Sequence, residues 1–153
     1  MVLIEVVLVP FWQGSSPAEF RAWFTAHSGR LRALLVPLGA ATGIACTASA
    51  AAQLAGGRRG APAAVAAAGT AAGVIAVTVT VNEPANRRFT GGTLTDRETT
   101  ALLRRWARWH HVRVVLGLAA TVAAGRALVD AEDRVGHRPP SRLRGVRAGD
   151  DVA

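Results

Sequence analysis

Uncharged apolar runs punctuate the chain at residues 33 to 52 (ALLVPLGAATGIACTASAAA), 60 to 82 (GAPAAVAAAGTAAGVIAVTVTVN) and 114 to 125 (VVLGLAATVAAG). A helix rises about 1.5 Å per residue, so about 20 apolar residues cross a hydrocarbon layer of about 30 Å. The first two runs reach that length. The third reaches it only if Arg113 and Arg126 lie near the two interfaces, or if Arg113 is buried in protein. Many of these residues are Ala, so an Ala-rich soluble bundle is the alternative. A fourth segment, Met1 to Val9 (MVLIEVVLV), is apolar except for Glu5. It has neither a basic leader nor a small-residue cleavage site, so it does not read as a signal peptide. It reads instead as the second half of a spanning helix.

Polar punctuation gives the remaining elements. Gln13-Gly-Ser-Ser-Pro17 breaks the first helix, and Ser16, Pro17 and Glu19 have the spacing of a capping box that starts another. That segment places Phe20, Trp23 and Phe24 on one face, either lying along a membrane surface or packing as an ordinary amphipathic helix. Gly56-Gly-Arg-Arg-Gly60 predicts a tight turn. The pairs Gly39/Gly43 and Gly69/Gly73 suit close helix approach. AVTVTVN alternates like a strand, yet its place at the end of a long apolar run favours helix. Pro84 then predicts a helix-exit loop around Asn82-Glu-Pro-Ala-Asn86. Thr95 and Glu98 open a final helix that nothing interrupts before Val129. The expected fold class is all-α, an integral membrane four-helix bundle with a truncated first helix. Residues 1–129 form the bundle domain, and residues 130–153 form a disordered tail of mixed charge, cytoplasmic in type.

Charge changes this picture little. The net charge of +8 would favour an acidic partner, but all 18 basic residues are Arg, as GC-rich coding produces, and they are spread over every polar segment. No zinc-finger, RNA-recognition or helix-turn-helix signature accompanies them, so nucleic acid is not an expected partner. The single Cys46 excludes an intramolecular disulfide. Metal binding through His27, His110, His111 and Glu5 would lack any recognised ligand spacing, and no metal site is expected.

Candidate chemistry concentrates where the last helix enters its apolar run. Trp106, His110 and Arg113 stand at i, i+4 and i+7 and share one face, continued by Gly117 and Thr121. Trp109, Val112 and Leu116 make a second, apolar face, while Arg104, Arg108 and His111 make a third that meets headgroups or water. His110 reads either as a site residue or as a hydrogen-bonded interior histidine. Asn82 and Asn86 can line a polar pocket or simply a loop. Glu5, flanked by aliphatic residues, is costly in lipid and needs a partner, for which Arg113 is the obvious candidate.

The order E-x4-P-x-W (Glu5, Pro10, Trp12), N-x-P-x-N (Asn82, Pro84, Asn86) and W-x3-H-x2-R (Trp106, His110, Arg113) resembles the anthrone oxygenase-like membrane family over roughly residues 1–129. The resemblance implies a four-helix membrane bundle, from which this chain departs in its short first helix. Members with an assigned activity oxidise polyketide anthrones to anthraquinones with O2, and no flavin, haem or metal cofactor is generally assigned to them. It also implies that His110 acts as base, that Arg113 and Asn86 stabilise enolate or peroxide charge, and that Trp106 forms an aromatic wall. Asn82 and Glu5 complete the expected substrate-binding set. The implied partners are a lipophilic small molecule, O2 and the bilayer of a bacterial cell membrane, with self-association left open. The competing expectation is a non-catalytic membrane protein that binds a lipophilic molecule or a membrane partner.

Overall fold

A computed structural model describes residues 1–132. Four helices follow one another: α1 (Ile4–Gly14), α2 (Pro17–Ala55), α3 (Ala61–Thr90) and α4 (Asp96–Glu132). No strand occurs among the described residues. The α4 helix continues to Glu132, and the tail expected beyond it, residues 133–153, lies outside the described residues.

Local chemistry sets the breaks. Ser15 leaves helical geometry at ψ 155°, and the Ser16 side chain then accepts from the Glu19 N–H while Glu19 accepts from the Ser16 N–H. This reciprocal cap satisfies donors that a helix N-terminus otherwise exposes. Thr95 and Glu98 repeat it at the start of α4. Between α2 and α3 the chain turns through Gly57 at φ +55°, a conformation that glycine adopts without penalty.

Two expectations need correction. The segment carrying Phe20 and Trp23 is no separate surface helix, because α2 runs unbroken for 39 residues. Pro37 lies inside this helix without ending it. Nor does Pro84 open a loop. The Thr78–Asn82 segment widens into a π-helix, and Pro84 falls in the first turn of the α-helical segment after it, so α3 continues to Thr90. The missing proline donor is absorbed where the hydrogen-bond ladder changes register. A second π-helical stretch, Ile4–Leu8, begins α1.

The three long helices are apolar and long enough to cross a membrane, with mean hydropathies of 1.6, 2.0 and 1.7 over their most apolar windows. Little of those windows is buried in protein: 6% in α2, 17% in α3 and 22% in α4. Leu34, Ile44, Val79, Leu118 and Val122 all point outward, as side chains solvated by lipid do. Where the spans touch, the contacts are small. Ala61, Ala64, Ala67 and Ala71 line the buried face of α3, and Ala50, Ala64 and Ala127 cluster where three helices meet. Backbones approach closely there, which is how helices pack in the absence of a hydrophobic driving force. One glycine of each expected pair takes part. A Cβ on Gly43 would come 2.9 Å from Ile75 Cδ1, and one on Gly73 would come 3.3 Å from Leu116, whereas Gly39 and Gly69 face open space.

The other end of the bundle is aromatic. Here α1 packs beside the first half of α4, with the N-terminal part of α2 and the last turns of α3. Trp12 sits at the centre, its ring centroid 5.4 to 5.8 Å from those of Phe20, Trp23, Phe24 and Trp106. Edge-to-face geometries predominate, the arrangement favoured by the ring quadrupoles. Polar links tie the same elements together. Arg21 on α2 donates to Asp96 and Thr99 on α4, and Arg32 on α2 pairs with Glu83 on α3.

Candidate functional site

The sequence-predicted set lies where the aromatic end meets the apolar spans. Helical periodicity turns Trp106, His110 and Arg113 inward together, with residue exposures of 5%, 0% and 9%. The inward track then departs from expectation: Thr121 is exposed and Ala120 and Ala127 take the interior positions. Trp109 and Val112 face outward, as their apolar face requires.

Trp106 is held on three sides. Its Nε1 donates to Asn86 Oδ1 at 2.9 Å, its ring stacks on His110 at 4.9 Å and 9°, and Trp12 meets it edge-on. Asn86 in turn donates weakly through Nδ2 to Glu83 Oε2 at 3.5 Å, so both ends of its amide are engaged. A chain of polar contacts therefore runs Arg32–Glu83–Asn86–Trp106 and joins three helices. The structure thus ties Asn86 to the placement of Trp106.

Asn82 ends the π-helical stretch of α3, fully buried, and neither amide atom has a hydrogen-bond partner among the described residues. Arg113 Nε and both ring nitrogens of His110 are likewise buried without a hydrogen-bond partner there. Such groups are costly in an interior, and a concentration of them marks a place built for more than packing.

Glu5 joins this interior to the surface. The expected pairing with Arg113 does not form, because the α1 π-helical stretch delivers Glu5 to α4 at His110 and His111. Its Oε1 is hydrogen-bonded to His111 Nδ1 at 3.0 Å, while its Oε2 faces His110 Nε2 at 3.7 Å without a hydrogen bond. The two rings differ sharply in environment: the His110 side chain is 0% exposed and that of His111 66%. A groove of about 590 Å³ opens on the outer side, lined by Glu5, Val9, Gln13, Arg104, Arg108 and His111.

Sequence reasoning placed His111, Arg104 and Arg108 on a face for headgroups and water, and gave Gln13 no role. The lost signal is tertiary, since only the packing of α1 along α4 turns that face into a groove wall. His27 lies apart from the centre, stacked on Trp23 with Nδ1 2.8 Å from the Trp23 carbonyl. Among the described residues no group of three or more His, Cys, Asp or Glu is arranged to hold a metal ion.

Three lipid-exposed apolar helices, capped by an aromatic cluster and enclosing unpaired polar side chains, define the class as a helical membrane protein with a polar interior centre. More narrowly, the chain belongs to the anthrone oxygenase family, whose profile matches residues 20–123, over half of its length. His110 and His111 lie inside the matched residues and Glu5 precedes them. No curated protein and no solved structure matches the chain.

Proposed function

We propose that this protein is a membrane oxygenase that converts the acidic methylene of a lipophilic, polycyclic phenolic substrate to a ketone with O2. Family membership and the membrane-type helices support the class, and one observation carries the chemistry. Glu5 is hydrogen-bonded to His111 and faces His110 at the edge of an open groove between α1 and α4. An imidazole–carboxylate centre is suited to taking a weakly acidic C–H proton near neutral pH.

The reaction balances without an external reductant. A base removes one methylene proton, and the carbanion reduces O2 and forms a C–O bond, giving a hydroperoxide. Loss of the second C–H proton together with hydroxide then breaks the O–O bond and leaves C=O and water. Overall, CH2 plus O2 gives C=O plus H2O, with four electrons passing from carbon to oxygen. Buried Arg113 supplies a fixed positive charge close to this centre, and preorganised charge of that kind stabilises a developing anion. The proposed substrate reaches the protein from the bilayer of a cell membrane, where an apolar polycycle partitions.

O2 uptake by the detergent-purified chain, given a tricyclic anthrone, tests the reading. The wild type should consume O2 above the spontaneous rate, and Glu5→Gln should lose most of that excess. Uptake at the spontaneous rate by the wild type would favour the non-catalytic alternative.

A further inference from the structure

We infer that His111, and not the buried His110, is the base that touches the substrate, and that the groove between α1 and α4 is where the substrate lies. This rests on the oxygenase reading and specifies its site. His110 is wholly enclosed and lines no part of the groove, whereas His111 stands on the groove wall. A carboxylate only accepts hydrogen bonds, so the 3.0 Å contact with Glu5 Oε1 places the hydrogen of a neutral His111 ring on Nδ1. That leaves Nε2 as the basic nitrogen. A carboxylate that fixes the tautomer and stabilises the resulting imidazolium is the arrangement by which histidine bases are oriented elsewhere.

The rest of the groove suits the anion that forms. Arg104 and Arg108 stand one helical turn apart on its wall, and neither has an ion-pair partner among the described residues. They are placed to hold the phenolate or enolate oxygen while His111 Nε2 accepts the methylene proton. The C–H bond breaks, its electron pair stays on the substrate as the enolate, and the proton resides on His111 until it returns to the peroxide. His110 is then a positioning residue. It stands behind Glu5 on the Oε2 side and faces the carboxylate from the interior, with Trp106 stacked against its ring.

Anaerobic exchange of the anthrone methylene hydrogens into D2O, followed by NMR, isolates the proton step from the O2 step. The wild type should accelerate exchange. His111→Ala should slow the catalysed exchange by about 10²- to 10⁴-fold, the usual contribution of a general base. The ring is largely exposed, so the variant should keep its thermal midpoint, and added imidazole should restore part of the lost rate. Exchange in His111→Ala within a few-fold of wild type would overturn the assignment, as would a loss that imidazole does not relieve or a wild type that catalyses no exchange. Catalysed exchange that depends on His111 but is followed by no O2 uptake would refute the oxygenase reading while leaving the base and its groove in place.

Discussion

At the residue scale, the sequence exposed the inward side chains but not their contacts. Trp106, His110 and Arg113 were legible because helical periodicity alone places them on one face, and all three are buried. The partner of Glu5 was not legible. Its identity depends on where along α4 the first helix settles, and no local pattern encodes that register. Asn86 shows the same limit: its type suggested a polar pocket or a loop and gave no partner, and its oxygen receives the Trp106 indole N–H. Replacing Asn86 with Leu leaves that buried donor unpaired and should cost about 1–3 kcal/mol, read as a lower thermal midpoint in detergent. Trp12→Ala, which empties the centre of the aromatic cluster, should cost more, about 3–5 kcal/mol. Glu5→Gln should leave the fold near wild-type stability and lower turnover by roughly a hundredfold or more, because the His111 tautomer is no longer fixed. Wild-type turnover in Glu5→Gln would show that the carboxylate takes no part in the reaction.

At the scale of elements, caps and turns followed from the sequence, since Ser16/Glu19 and Thr95/Glu98 pair within three residues of each other. Helix continuity did not. Pro84 and the polar residues around it argued for a loop, but the π-helical register shift at Thr78–Asn82 lets α3 continue. Both π-helical stretches pack against α4, and each brings a polar side chain, Glu5 or Asn82, to the boundary of the spans. The glycine pairs separate under a direct test. Gly43→Leu forces a side chain into Ile75 and should destabilise the α2–α3 contact by about 1–3 kcal/mol, whereas Gly39→Leu meets open space and should be neutral. Gly60 is tighter still: a Cβ there would strike the Ala127 carbonyl and the Gln53 side chain. Gly60→Ala should therefore prise the α2–α3 turn from α4 and lower the midpoint further than Gly43→Ala does. Thermal unfolding of the four variants in one detergent checks the order.

At the scale of the whole molecule, the architecture divides labour between its two ends. Small residues close the spans together at one end, and an aromatic cluster holds α1 against α4 at the other. The polar centre sits between them. The general plan was readable from hydropathy because apolar length is a property of the sequence alone. The groove was not, because it exists only between helices. If the proposed oxygenase uses O2 as sole oxidant on an acidic methylene, the stoichiometry of O2 uptake reveals it. With purified protein, a tricyclic anthrone and no added reductant, one O2 should be consumed for each quinone formed. Absence of enzyme-dependent uptake, or uptake that requires a supplied electron donor, would contradict it.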